Sequence, residues 1–534
     1  MKRRLFVFIM LVVGCMSLLF AQTPINNDSL VADFDYFIKL LEATHPDPYS
    51  GFGGKVFFHK EARKLRNNLK SRPVTLTDFD DQLSAFIANL QDGHTYVHST
   101  VNNQGKQLFA VISLKTIPDG MIVDMLPKQY EKLLGSKLVG INDKNMDELL
   151  KLTEMKKTCE NCYNRYWRFS MSGSSSHFLQ QIIPELKDSV SYILLTPDGN
   201  KEALKLPLLN RDEFLKAEKA TIPCSDRYPT KQMSYAFIDG GKQTMMLRLK
   251  TVMSRECFDY MQKNGWNYYR QLQYYYNQIL KEDIPSDTLK AIQRLPSMTA
   301  TFGRMLKEMK KEKAVNLIID LRGNTGGWTP IVLPTLYQLY GDKYLQTNME
   351  AQFCRLISPL YMQKIGKTLK EYNAENKRNY VYGEYELEES DDDNNVSIDS
   401  LRFEFIKNSM SFGKKGLTAQ KGAALYSPKN VYVITDESTF SAAFHYAFYL
   451  WKMGAKVVGV PSSQAPNTFM EVTPFILPYT KFEGSISNTM QIFLPSKDRR
   501  AKIFWPDYMP SYKDYQKYNF DGQTEIMYLM DKLK

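Results

Sequence analysis

Three stretches of the 534-residue chain put small and polar residues at the end of an apolar run, where a turn can expose reacting groups. The first reads Ile319-Asp320-Leu321-Arg322-Gly323-Asn324-Thr325-Gly326-Gly327-Trp328. A strand running into such glycines can leave backbone N–H groups bare, which is what stabilising an oxyanion requires. It lacks Gly-x-Gly-x-x-Gly and a Gly-Lys-Ser/Thr ending, so it is not a phosphate loop. The second is Thr435-Asp436-Glu437-Ser438-Thr439-Phe440-Ser441-Ala442-Ala443, a strand, a polar turn and a helix start. A serine at such a junction has its Oγ exposed beside helix N-terminal amides that favour a developing negative charge. Ser438, Thr439 and Ser441 each fit this position, as a nucleophile or as a plain N-cap. The third is Gln91-Asp92-Gly93-His94-Thr95, in a chain with six histidines. A serine nucleophile needs a base, which His94 can supply. His98, on the same face of an extended run, is the rival base and otherwise a surface strand residue.

The elements that must position these stretches are legible from periodicity. Met246 to Leu249, Val315 to Ile319, Val431 to Ile434 and Lys456 to Val460 read as buried strands, and the helix-like run Ser441 to Met453 between the last two gives the β-α-β order of a parallel sheet. Leu30, Val31, Phe34, Phe37, Ile38 and Leu41 form one helical face that opens near Asp28/Ser29 and stops at His45-Pro46-Asp47-Pro48. Phe79, Leu83, Phe86, Ile87 and Leu90 form another, with Thr77 as the expected N-cap. From about Leu108 the texture changes to short β-like runs broken by turns. Within it, Leu133 to Lys144 followed by the helical Met146 to Leu152 resembles a PDZ domain over about residues 105–208, which implies capture of an extended peptide or packing against a neighbour. No repeat of fixed period is present. The expected order is a signal segment over 1–21, a helical N-terminal domain over 22–104, the PDZ-like β-rich domain over 105–208 and an α/β core over 209–534. The acidic stretch 384–400 is expected to be a mobile surface insertion.

Composition bounds the class. With 43% hydrophobic and 24% charged residues the chain is globular and long enough for two or three cores. Met1-Lys2-Arg3-Arg4, the apolar Leu5 to Phe20 and Ala21-Gln22-Thr23-Pro24 have the basic, apolar and small-residue order of a secretory signal. Export to a periplasmic or extracellular location follows, with cleavage near Ala21. A retained anchor helix is the first alternative to it. Val12-Val13-Gly14-Cys15 resembles a bacterial lipobox, so lipid anchoring through Cys15 is the second. The formal charge of +11 falls to +8 without Lys2, Arg3 and Arg4, and the remaining cations are dispersed. That distribution argues against a nucleic-acid partner and for solubility with weak attraction to anionic surfaces. Cys159, Cys162, Cys224, Cys257 and Cys354 are too few and odd in number for a disulfide framework. Cys159-Glu160-Asn161-Cys162 has no second ligand pair at zinc spacing, which leaves an incidental pair or a local disulfide.

Taken in order, "LQDGHT", "IIDLRGNTGG", "VYVITDESTFSAAF" and "KVVGVPSS", behind a PDZ-like insert, resemble the C-terminal processing (tail-specific) serine peptidase family over roughly residues 30–510. The resemblance implies a crotonase-like α/β catalytic core and makes Ser441 the nucleophile, with Phe444 where the family usually has Glu. One branch takes its base from a Lys in a "G-E-P-T-x-G-K" segment; here Gly459 to Ala465 has none. The other branch, resembling the tricorn core and the retinoid-binding-protein-like peptidases, uses a His, which the match assigns to His94. It implies an oxyanion hole from Ala442 N–H with an N–H near Gly326/Gly327. It also expects an orienting acid before Phe504-Trp505-Pro506-Asp507, where this chain has Arg500 and, two residues away, Asp498.

These implications describe an exported serine endopeptidase acting on peptide or unfolded protein, needing no metal or organic cofactor. The alternative is a catalytically weak or inactive peptidase-fold protein that binds a peptide or apolar ligand, and the absence of the family's Glu argues for it. Substrate preference and oligomeric state are not written in the sequence.

Overall fold

Alternation along four apolar runs builds the sheet that carries the reactive stretches. In the computed structural model, which describes residues 26–99, 107–349, 351–388, 396–410 and 413–534, strands Lys456–Gly459, Asn430–Thr435, Asn316–Asp320 and Thr244–Arg248 lie side by side in parallel, and Ser234–Phe237 closes the edge antiparallel. The expected signal segment and Cys15 lie outside the described residues. Successive side chains leave a strand on opposite faces. Met245, Leu247, Leu317, Ile319, Val431, Val433 and Val457 thus face helices Met298–Glu312 and Ala442–Lys452. Met246, Ile318, Tyr432, Ile434 and Val458 face Ile526 and Leu529 of the C-terminal helix Thr524–Lys532. Burial on both faces is why these runs read as unbroken apolar sequence.

The expected N-terminal helices form at Asn27–Thr44 and Leu76–Ala88, and a further helix, Lys55–Ser71, lies between them. The N-cap of Leu76–Ala88 is Thr75, closed by a capping box with Asp78, rather than Thr77. These helices do not close a core alone. Leu30, Phe34, Phe79 and Leu83 share one with Phe475, Leu477, Phe482 and Ile486 from the hairpin Asn467–Ile476 and Glu483–Ile492. Tyr96–His98 also pairs with that hairpin, so the expected boundary at 104 is crossed by common packing.

Residues 113–221 form an antiparallel seven-stranded sheet with a core of its own, including Leu138, Tyr192 and Leu204, and helix Met146–Glu154 is closed by an Asn145/Glu148 capping box. The acidic stretch differs from expectation at both ends. Tyr385–Glu388 is a strand paired with Gln352–Leu356, Tyr385 Oη donates to Pro46 O at 2.6 Å, and a helix begins at Ile398. Residues 389–395 lie outside the described residues.

Candidate active site

Each reactive stretch leaves the carboxyl end of a parallel strand or abuts it, the place where open α/β sheets form sites. Asp320 ends one strand, Thr435 the next and Gly459 the third. After Thr435 the chain turns through Asp436 to Thr439. Ser438 Oγ donates to Asp436 Oδ1 at 2.7 Å, and Thr439 N–H donates to Asp436 O. Ser438 and Thr439 are therefore turn-formers.

Ser441 stands at the start of helix Ala442–Lys452 with φ 53° and ψ −128°, left-handed backbone that a non-glycine residue rarely adopts. This is the strained strand-to-helix turn that pushes a serine hydroxyl out of an α/β sheet. The turn is held by close packing. A Cβ on Gly326 would lie 2.7 Å from Ser441 Cβ, 2.8 Å from Phe440 O and 3.0 Å from Ala442 N, so the glycine segment fits against the elbow only without a side chain. Phe440 N–H donates to Asn324 O, fastening the two stretches together.

The N–H groups near Ser441 sort themselves by what already bonds them. Gly326 N–H donates to Asn324 Oδ1 at 2.9 Å, so of the pair expected from sequence Gly326 is not a free donor. Ser441 N–H donates to Gln464 Oε1. Ala442 N–H and Gly327 N–H have no hydrogen-bond partner among the described residues, which leaves them open to an oxyanion.

His94 follows a tight network. Asp92, fully buried, accepts from His94 N–H at 2.8 Å, from Thr95 Oγ1 at 2.5 Å and from His45 Nε2 at 3.3 Å. Asp47 N–H donates to His45 Nδ1, which fixes His45 as the neutral Nε2–H form and makes it a donor to Asp92. Burial would raise the Asp92 pKa, but the hydrogen bond from His45, with His94 and Thr95, carries it well below the usual carboxylate range. The His94 ring lies against Phe440, centroids 4.6 Å apart, one residue before Ser441. Among the described residues no hydrogen bond joins His94 to Ser441 Oγ, and His94 Nδ1 is buried without a hydrogen-bond partner. Burial lowers the His94 pKa from its ordinary 6.5, against the pull of Asp92. His98 is exposed and stacks on Tyr96, as a surface strand residue does.

A second acid, Glu160, faces the His94 ring. Its Oε1 lies 3.9 Å from His94 Nδ1, its side chain is 1% exposed, and it accepts Gly93 N–H at 3.1 Å and Ala465 N–H at 2.9 Å. Burial, eased only in part by these amides, pushes its pKa up to about 8. Asp498, the acid expected from sequence, is exposed, and its carboxylate caps its own turn by accepting Arg500 N–H at 2.7 Å. Arg500 stacks its guanidinium on Trp451, 4.9 Å from the ring centre. Glu160 lies inside Cys159-Glu160-Asn161-Cys162, a segment whose spacing points to its cysteines and not to its acid; both cysteines are free thiols.

His445, four residues after Ser441 and buried, is a second residue that the sequence did not flag. Gln491 Nε2 donates to Pro466 O, which turns Gln491 Oε1 toward His445 Nε2–H at 2.7 Å, and Thr329 Oγ1 meets Nδ1 at 2.8 Å. Burial drops its pKa to about 4, so it is a neutral strut with both nitrogens occupied. Phe444, where the resemblance expects Glu, is fully buried against Phe493 and Phe504. Asp92, His94 and Glu160 each offer a ligand atom within 4.8 Å of the others, but the Asp92 carboxylate is already taken by three donors, so the cluster suits proton chemistry better than a cation.

Residues 290–502 match the model of peptidase family S41. No curated protein matches the chain. Among solved structures, mature CPAF complexed with lactacystin is similar at 13% identity and a TM-score of 0.55, over 95% of this chain and 99% of that one. Mature CPAF alone gives 13%, 0.54, 95% and 98%. The photosystem II D1 C-terminal processing protease gives 12% and 0.36 over 91% and 94%. At such identities the CPAF likeness is one of fold. The family match covers the glycine segment, the serine elbow and the strand after it, so residues 290–502 carry the pattern of peptidase family S41.

Proposed function

We propose that the chain is an exported serine endopeptidase in which Ser441 is the nucleophile, His94 the base and Glu160 the acid that orients it. The observation that carries this reading is the strained Ser441 elbow with the unbonded N–H groups of Ala442 and Gly327 beside it. Ser441 Oγ attacks the amide carbonyl carbon while its proton passes to the His94 imidazole. The oxyanion is met by Ala442 and Gly327 N–H, and the imidazolium returns the proton to the leaving amine. Water, deprotonated by the same imidazole, then releases the acyl group from Ser441. An ionised Glu160 facing Nδ1 favours the tautomer protonated at Nδ1, in which Nε2 is the nitrogen that takes the proton.

The parallel sheet with site loops at its carboxyl ends supports a crotonase-like core, and the antiparallel sheet with helix Met146–Glu154 supports a PDZ-like module over 105–208 that presents substrate. The residue order of 1–24 supports export.

A second reading, a peptide-binding protein of this fold with little turnover, is favoured by the missing Ser441–His94 hydrogen bond and by a Glu160 that is largely protonated at neutral pH. A fluorophosphonate probe separates the two. Labelling of the parent that is abolished in Ser441→Ala, and retained in Ser438→Ala, supports the peptidase. An unlabelled parent that still binds unfolded protein supports the binder.

A further inference from the structure

One short loop touches both ends of the proposed catalytic apparatus. Gln464 Oε1 accepts Ser441 N–H, and the next residue, Ala465, donates its N–H to Glu160 Oε2 at 2.9 Å. The loop is itself fixed. Ser463 N–H donates to Glu437 O, Ser462 Oγ donates to Gln464 O at 3.0 Å, and Asn161 Nδ2 donates to Ser462 O at 3.1 Å. Gln464 is fully buried, and its Nε2 has no hydrogen-bond partner among the described residues. A buried amide N–H without an acceptor is costly, and a residue kept for packing alone would be an apolar one of the same length, which carries no such cost. What the amide supplies in return is an acceptor for the backbone of a residue held in left-handed conformation.

We propose that Gln464 is a positioning residue that latches the Ser441 elbow, in register with Glu160, through the Oε1 bond to Ser441 N–H. The proposal rests on Ser441 being the nucleophile only for its kinetic consequence; the latch itself is a property of the fold. It also explains why Ser441 N–H is not an oxyanion donor, since Gln464 consumes it.

Gln464→Met keeps length and removes the acceptor, and Gln464→Glu restores an acceptor oxygen. The expected result is amide hydrogen exchange at Ser441 at least about tenfold faster in Gln464→Met. Fluorophosphonate labelling should be slower by about 10²-fold, the scale of a small misplacement of a reacting group. The thermal midpoint should be unchanged or raised, because the unmet N–H is gone. Gln464→Glu should recover both exchange protection and labelling. Unchanged exchange at Ser441 in Gln464→Met overturns the latch. A Gln464→Met that loses its thermal midpoint together with labelling, with no recovery in Gln464→Glu, overturns it too, because that pattern belongs to a packing residue. If the parent is not labelled at all, the peptidase reading fails, while the exchange comparison still decides the latch.

Discussion

Glu160 Oε1 lies 3.9 Å from Nδ1 of His94, on the segment between helices Met146–Glu154 and Cys162–Ser172, and the Gly93 and Ala465 amides hold its carboxyl. The carboxylate facing His94 thus comes from upstream of Ser441, where the resemblance expects one downstream. Glu160→Gln keeps the shape and both amide bonds but removes the charge that would balance an imidazolium. The expected fall in kcat/KM approaches about 10⁴, the scale seen when the acid of a serine triad is neutralised. Asp498→Asn and Arg500→Glu should leave the rate near parental, because Asp498 is exposed on its own turn and Arg500 is engaged with Trp451. Steady-state hydrolysis of one unfolded substrate by the three variants checks the assignment.

The pH profile carries a second signature. Burial raises Glu160 to about 8 and lowers His94 below 6.5. His94 is thus neutral and able to accept a proton before Glu160 ionises, and kcat/KM should keep rising through about pH 8. Glu160→Gln should lose that upper limb and plateau at a lower pH, at its reduced rate. Stability should move the other way. The folded state holds the Glu160 proton more tightly than the unfolded chain, so the stabilisation is complete below the ordinary 4.5 and is lost as pH climbs toward 8. The thermal midpoint of the parent should therefore fall relative to Glu160→Gln between those values.

The core sheet, the serine elbow and the His94 stretch were legible because each rests on local pattern: unbroken apolar runs for strands buried on both faces, and glycines or hydroxyls at strand ends. Glu160 was not, because nothing within its own segment reports that the fold turns it toward a residue 66 positions away. Gln464 escaped for a related reason. Its segment stands out by the lysine it lacks, and an amide bonded to a distant backbone N–H has no periodicity to betray it. Helix Lys55–Ser71 was missed because its buried residues, Phe58, Ala62, Leu65 and Leu69, are diluted by charged neighbours. The common core of the N-terminal helices and the 467–492 hairpin was invisible because it joins elements at opposite ends of the chain.

Gly326 gives a steric test of the elbow. Gly326→Ala would set a methyl against Ser441 Cβ, Phe440 O and Ala442 N at a φ of 108°. The cost should be about 1–3 kcal/mol from backbone strain alone, and the displaced elbow should no longer react with a fluorophosphonate. Gly199→Ala isolates the strain, since its φ is 90° but a Cβ there meets nothing within 4 Å. It should lose a comparable strain energy and keep full labelling, as measured by denaturant midpoint and gel.

Arg322, in the glycine segment, anchors the loop from behind. Its Nη2 donates to Asp320 Oδ2 at 2.8 Å and Gln523 Oε1 at 2.7 Å, and Nη1 donates to Glu525 Oε2 at 2.6 Å and Gly522 O at 2.9 Å. Removing one partner of such a buried network leaves uncompensated charge, so Arg322→Met should destabilise by about 3–5 kcal/mol. Burial alone would raise both acids, but Arg248 and Arg322 hold Asp320, and Lys115 and Arg322 hold Glu525, at about 2. Groups depressed in this way stabilise the fold above their ordinary values of 3.8 and 4.5, and the benefit is lost as pH falls toward 2. The parent should therefore lose stability steeply over that window, and Arg322→Met should show a shallower acid dependence. Adding Glu525→Gln to Arg322→Met should recover part of the loss, because the second change removes the charge the first one stranded. Urea midpoints of the parent, the single and the double variant at pH 7 and pH 3 test this, and equal slopes with pH in parent and Arg322→Met would show that the network does not carry the acid sensitivity.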